Sequence, residues 1–182
     1  FANTVFVLLG DHGLPGSASH LPYGTSELAL VRFQVPLLLY APGLLGPGRE
    51  AQAVASEVDV LPTVAGIAAM PYANSTLGRD LLDSRFDGMR YAFTISHRQV
   101  PEIGLISDDF YFLTNADGTN RRLHAIAGDT PGENVMDEYP EVTSTLEPLC
   151  HGLYEAANYI RYNNTPEMVA AIFEKQNIHH RH

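Results

Sequence analysis

An adjacent carboxylate and imidazole, Asp11 and His12, follow a run of apolar residues in the stretch VFVLLGDHG. The apolar run at residues 5–9 predicts a buried strand, and Gly10 and Gly13 allow the chain to turn directly after it. Neighbouring residues of a strand face opposite sides, so both side chains converge only beyond the strand end. An oxygen and an imidazole nitrogen suit Zn²⁺ or Mn²⁺. The pair predicts part of a metal site whose other ligands lie elsewhere; the alternative is a helix-capping Asp beside a surface His.

The sequence context of the other histidines gives weaker evidence for a role in catalysis or metal binding. His20, in SASHLPYG, lies on a loop that can return over the strand end, where it could bind metal, donate a proton or hold an anionic oxygen. The alternative for His20 is an exposed loop histidine. His97 follows a predicted strand and is expected in solvent, His124 alternates with apolar residues and is expected to pack, and His151 is expected on a helix surface.

Composition narrows the classes of function. The 182 residues carry 21 Asp and Glu against 11 Lys and Arg, a formal charge of −10. This charge argues against a nucleic-acid partner or an anionic membrane surface bound through bulk positive charge. The single cysteine, Cys150, cannot form an intrachain disulfide and is expected to be buried on a helix. The first residue is Phe rather than Met, and we expect a piece of a longer protein.

The hydrophobic patterns predict an α/β fold. Residues 4–9 indicate a buried parallel strand, and Asp59 is expected to cap the helix that follows the second strand. Short connections favour antiparallel pairing of the later strands. The predicted strands are residues 4–9, 35–40, 91–95, 103–107, 110–114 and 121–126, and the predicted helices are residues 26–33, 56–70, 141–163 and 166–176.

Several blocks of the chain resemble the alkaline-phosphatase superfamily on its sulfatase branch, and they occur in that family's order across residues 3 to 145. The blocks are NTVFVLLGDHG, FQVPLLLYAPG, SEVDVLPTVAGIA, STLGRDLLD and RRLHAIAGDTPGENVMDEYPE. The resemblance implies that residues 1–182 are the C-terminal part of a three-layer α/β/α catalytic domain. Residues 1–90 would supply part of the core sheet with the metal motif, and residues 91–165 a small antiparallel sheet with a long helix.

Within the superfamily, the chain most resembles the membrane-anchored branch of lipoteichoic acid synthases and phosphoglycerol and phosphoethanolamine transferases. Its segment YGTSELALVRFQVP lacks the Lys and the E-G-G run that arylsulfatases often carry. The resemblance implies that Asp11 and His12 bind the catalytic divalent metal, Zn²⁺ or Mn²⁺ with Ca²⁺ or Mg²⁺ as alternatives, and that His20 binds substrate. It also implies a phospholipid or other ester substrate and a bacterial, membrane-anchored parent acting on the periplasmic or cell-surface side.

The family's nucleophile lies upstream of this motif, so we expect the chain alone to be inactive and to need the remainder of the parent catalytic domain as its partner. Exposed strand edges also favour self-association. Two alternatives to the transferase stay open: a sulfuric-ester hydrolase of the same fold, and a non-catalytic interaction domain.

Overall fold

The described residues form two antiparallel sheets, one of two strands and one of four. The computed structural model describes residues 3–14, 23–48, 50–51, 53–88, 90–96 and 99–179. The strands are β1 (Phe6–Leu9), β2 (Leu37–Tyr40), β3 (Ala92–Ser96), β4 (Glu102–Ile106), β5 (Phe110–Asn115) and β6 (Arg122–Ala125). The helices are α1 (Tyr23–Glu27), α2 (Leu30–Phe33), α3 (Val60–Ile67), α4 (Pro140–Asn163) and α5 (Pro166–His179). The α/β class is confirmed.

Strands β1 and β2 form a two-stranded ribbon, with Phe6 opposite Tyr40 and Leu9 opposite Leu37. The prediction of a buried parallel strand at residues 4–9 is wrong on both counts. The ribbon strands run antiparallel, because short helices between them reverse the chain instead of crossing over the sheet. Leu8 remains 56% exposed, since a two-stranded sheet covers little of its own surface.

Strands β3 to β6 form an antiparallel meander in which spatial order equals sequence order, as the short turns predicted. One face of the meander packs against α4, and Phe112, Leu105 and Leu123 lie fully buried there. From α4, Leu146 and Cys150 complete this core. The predicted small antiparallel sheet and the long helix are confirmed.

The other face of the meander carries α2. Leu30 of α2 packs on Tyr111 and Leu113 of β5. Tyr111 lies across Gly104 and its hydroxyl lies 3.0 Å from Thr94 Oγ1, two strands away. A Cβ at Gly104 would lie 2.6 Å from the Tyr111 ring, so only glycine leaves room for this crossing. Because α2 directly precedes β2 and its Leu30 packs on β5, this helix connects the ribbon to the meander.

Asp59 is the N-cap residue of α3, as predicted, but its side chain makes no capping hydrogen bond to that helix. A 3-10 turn, Glu57–Asp59, precedes α3, and Ser56 is the N-cap residue of that turn. The buried Asp59 carboxylate then accepts hydrogen bonds from the Ser56 amide at 2.9 Å and the Arg79 amide at 2.8 Å. Its charge is balanced by the Arg79 guanidinium, 3.2 Å away.

Candidate metal-binding pair

The turn after β1 is held in place by two glycines. The Gly10 amide donates to the carbonyl of Pro36 at 3.3 Å, and the Gly13 amide donates to the carbonyl of Arg32 at 2.9 Å. A Cβ at Gly13 would lie 1.8 Å from the Val31 carbonyl oxygen, so no larger residue fits this approach. The turn that carries the two predicted ligands is therefore anchored to Pro36, the residue before β2, on one side and to α2 on the other.

Asp11 and His12 lie side by side on this turn and do not point apart. The His12 amide donates to Asp11 Oδ1 at 2.9 Å, and His12 Nε2 lies 3.8 Å from Asp11 Oδ2. The side chains of Asp11 and His12 are 91% and 67% exposed. Both reach solvent on the same side of the turn, where an ion could contact each of them.

The tautomer of His12 suits metal binding. Its Nδ1 lies 3.0 Å from the Gly13 carbonyl oxygen, which only accepts, so in the neutral ring Nδ1 carries the proton. Nε2, the ring nitrogen that this tautomer leaves free to bind an ion, lies 3.8 Å from Asp11 Oδ2. Histidines that bind metals commonly donate their other ring N–H in this way, which fixes the ring. An oxygen and a nitrogen donor at this separation fit one divalent ion.

Two ligands do not complete a site. Across the residues that the structure describes, no group of three or more His, Cys, Asp and Glu side chains is placed to hold a metal ion. His20 and His97 lie outside the described residues. The assignment of Asp11 and His12 as ligands, and of His20 as a catalytic residue, therefore stays a prediction.

The other residues that the sequence singled out, His124, Cys150 and His151, lie on the meander and on α4 and not on the turn of Asp11 and His12. His124 is 3% exposed, and its Nδ1 lies 2.9 Å from the Glu133 carbonyl oxygen, so the packing prediction is confirmed. Burial lowers the pKa of His124. Cys150 is fully buried on α4, and burial raises the pKa of its thiol to about 12, which leaves it without nucleophilic character at neutral pH. His151 is partly exposed on the same helix.

Sequence reasoning gave little weight to Arg32. Its side chain is exposed, and its carbonyl accepts from the Gly13 amide, so the backbone of Arg32 lies beside the turn of the predicted ligands. The only sequence signal was a single basic residue in the otherwise uncharged stretch LALVRFQVP.

Known proteins match this part of the chain. The family model described as Sulfatase matches residues 1–70, which include the ribbon and the turn. Arylsulfatase K of Homo sapiens is 24% identical over 168 residues, covering 82% of the chain and 31% of that protein. Arylsulfatase K of Bos taurus is 25% identical over 162 residues, covering 79% and 29%. The chain thus spans about a third of the length of these curated relatives.

Solved structures of sulfatase-type proteins are similar in fold to this chain. A 2-O GAG sulfatase superposes with a TM-score of 0.61 at 16% identity, covering 88% of the chain and 38% of that structure. The sulfatase-type protein yidJ of Bacteroides fragilis gives 0.64 at 18% identity, with 89% and 38% covered. The matches support a resemblance of this chain to the sulfatase and alkaline-phosphatase-like superfamily. The chain has the fold of part of a sulfatase-type, alkaline-phosphatase-like domain.

The same matches distinguish between the sulfatase branch and the transferase branch of the superfamily. The curated relatives carry the name arylsulfatase, and the family model is that of sulfatases. They favour the sulfuric-ester alternative over the expected lipoteichoic acid synthase and transferase branch. No helix in the described ranges is long and apolar enough to cross a membrane.

Proposed function

We propose that this chain is part of a metal-dependent hydrolase of sulfate esters. The observation that carries the proposal is the shared orientation of Asp11 and His12, with Nε2 of His12 3.8 Å from Asp11 Oδ2, inside the segment that matches the sulfatase model. The alternative, an Asp that caps a helix beside a surface His, is disfavoured because Asp11 Oδ1 accepts a hydrogen bond from the amide of its own neighbour, His12.

In this proposal, Asp11 and His12 hold one divalent cation, which when bound neutralises charge on the ester oxygens. The imidazole nitrogen favours Mn²⁺ or Zn²⁺, whereas a donor set completed by carboxylates favours Ca²⁺ or Mg²⁺. The anchored glycine turn orients both side chains before the ion arrives. Arg32, whose carbonyl holds the turn and whose side chain is exposed, is the candidate cation for an anionic substrate.

Groups beyond Asp11 and His12 complete the site in this proposal. The remainder of the parent catalytic domain supplies the nucleophile and the further metal ligands, and His20 protonates the leaving oxygen or holds the transferred group. The substrate is an ester that carries a negative charge. A membrane-anchored parent on the extracytoplasmic side of a bacterial cell, acting on a phospholipid, remains the proposal that accompanies the transferase alternative.

The test uses a protein that joins this chain to the remainder of the domain. Nitrophenyl sulfate and nitrophenyl phosphate are compared with added Mn²⁺, Zn²⁺, Ca²⁺ or Mg²⁺. Asp11→Asn and His12→Gln should each lower the metal-dependent sulfatase rate by more than the roughly 10–100-fold that loss of an outer-shell partner costs. Asp137→Asn, which changes an exposed acid elsewhere, is the matched control and should keep the rate.

The outcomes separate the candidates. Faster turnover of the phosphate ester, with the same dependence on Asp11, would favour the transferase branch. Unchanged rates in Asp11→Asn and His12→Gln would contradict the metal pair, and a folded protein inactive on both esters would favour an interaction domain. The chain alone should show no turnover, because its described residues hold no complete group of metal ligands.

A further inference from the structure

We propose that Leu30 is a positioning residue for Asp11 and His12, which lie on a different segment of the chain. The proposal rests on the proposed function in one respect, since it takes Asp11 and His12 to be the metal ligands. The contacts that support it run from the meander through α2 to the turn after β1, and they all join described residues.

Helix α2 holds the turn through its main chain. The Gly13 amide donates to the Arg32 carbonyl at 2.9 Å. A Cβ at Gly13 would lie 3.0 Å from the Val31 carbonyl carbon and 3.3 Å from Arg32 Cα, so the turn rests against two consecutive residues of α2. The Gly13 carbonyl accepts from His12 Nδ1 at 3.0 Å and so orients the imidazole. The position of α2 therefore sets the position of Gly13 and, through it, the direction of the His12 ring.

Helix α2 is too short to fix its own position. It contains four residues, Leu30–Phe33, whereas isolated helices shorter than about 12–15 residues are marginal in water. Its N-cap residue, Ala29, makes no side-chain capping hydrogen bond and has a φ of 55°, in the left-handed region that a Cβ disfavours. The helix must therefore be held by contacts with the rest of the fold.

Leu30 provides the contact that holds α2. It is the only buried residue among the four of this helix, all of which the structure describes, and it packs on Tyr111 and Leu113 of β5. These partners are themselves fixed, because β5 lies between two other strands and the Tyr111 hydroxyl lies 3.0 Å from Thr94 Oγ1. Phe33, at the other end of α2, is 40% exposed. Leu30 is thus the side chain through which the meander determines where α2 lies.

Truncation of Leu30 should loosen one side of the turn and leave the other side in place. The second anchor, from the Gly10 amide to the Pro36 carbonyl, does not involve α2. Asp11 and His12 would therefore stay beside each other, but the turn would no longer be oriented before the ion arrives. Preorganised groups bind more tightly because less ordering is required on binding. We expect a lower metal affinity with little change in the rate of the metal-loaded protein.

The first measurement is amide hydrogen exchange of this chain by NMR, which needs no metal. In Leu30→Ala, the Gly13 amide should exchange roughly tenfold faster or more, because deleting a buried leucine side chain costs enough to shift a local opening by that factor. The amides of β5 should keep their slow exchange. Leu30→Met, which nearly conserves volume, should restore slow exchange at Gly13. Leu146→Ala is the matched control: Leu146 is as buried as Leu30, at 9% exposed, but it belongs to α4 and the other core, so Gly13 exchange should not change.

The second measurement is the dependence of the sulfate-ester rate on Mn²⁺ concentration, in the protein that joins this chain to the remainder of the domain. Leu30→Ala should raise the Mn²⁺ concentration for half-maximal rate by about tenfold, the lower end of the range for groups that support metal ligands. Its rate at saturating Mn²⁺ should stay close to that of the parent protein. A purely structural role would instead reduce the amount of folded protein, which lowers the maximal rate without moving the half-maximal concentration.

Leu30→Val, a smaller truncation, should show both changes more weakly, and it replaces the alanine variant if circular dichroism shows that Leu30→Ala does not fold. Gly13 exchange that is unchanged in the Leu30 variants, or equally fast in Leu146→Ala, would overturn the positioning role. An unchanged half-maximal Mn²⁺ concentration would also overturn it. If Asp11→Asn and His12→Gln keep full activity, the proposed function fails, and exchange of the Gly13 amide alone then decides whether Leu30 positions the turn.

Discussion

Replacing Arg79 by methionine would leave the carboxylate of Asp59 buried without its cation. Asp59 is fully buried and the Arg79 side chain is 9% exposed, with 3.2 Å between Arg79 Nη2 and Asp59 Oδ2. The guanidinium also donates to the Tyr91 carbonyl at 2.7 Å and lies 4.1 Å from the centre of the Tyr91 ring. These contacts join the segment before α3 to the start of the meander, so their loss should lower the stability of the whole chain.

The expected loss in the free energy of unfolding depends on which hydrogen bonds to Asp59 remain in the methionine variant. Breaking a buried ion pair by removing one partner costs about 3–5 kcal/mol. The amides of Ser56 and Arg79 still donate to Asp59 in the variant, because both bonds come from the main chain. We therefore expect a loss of about 3 kcal/mol, the lower end of the range, out of a total of about 5–15 kcal/mol for a typical domain.

The assay is urea unfolding followed by far-UV circular dichroism, because the chain has no tryptophan. In the double variant Asp59→Asn with Arg79→Met, no buried charge remains, and about half of the lost stability should return. Arg85→Met is the control: Arg85 is 74% exposed in its pair with Asp83, so its midpoint should not move. An Arg79→Met midpoint equal to that of Arg85→Met, or a double variant no better than the single one, would refute the reasoning.

Further predictions test other contacts. Gly13→Ala should lower the melting temperature, because the new Cβ would clash with the Val31 carbonyl oxygen. Gly46→Ala should not change it, because a Cβ at Gly46 would have no neighbouring atom within 4 Å. Burial lowers the pKa of His124, so the unfolded chain binds the proton more readily; stability should fall as the pH drops below about 6.5, and urea titrations of His124→Phe should show a flatter acid branch. With a thiol pKa of about 12, Cys150 should react with a thiol reagent only after denaturant is added, and equal labelling of the native chain would contradict its burial.

The meander was predictable because its contacts are local. Alternating apolar residues and close turns at Asp108 and Gly118 left each strand with its sequence neighbour as the natural partner. The helix predicted at residues 141–163 matches α4, Pro140–Asn163, since its apolar spacing continues without interruption across many turns. Pattern and structure agree where a short stretch of sequence contains all of the interacting groups.

The ribbon and the ion pair were not predictable in the same way. An apolar run such as residues 5–9 indicates a strand but contains no information on the direction of its partner. Asp59 and Arg79 belong to two blocks that resemble a known family, yet resemblance does not say that residues 20 positions apart touch. For the metal site, residue types and the strand end indicated Asp11 and His12, whereas any third ligand depends on groups outside this local sequence.

The sequential order of the meander has a kinetic consequence. Strands that pair with their immediate neighbours require only small loops to close before contacts form, and such low contact order goes with rapid folding. β1 must instead wait for β2, beyond two intervening helices. The sheet with α4 should therefore gain amide protection first during refolding, and the turn bearing the candidate ligands should be among the last parts of the chain to become ordered.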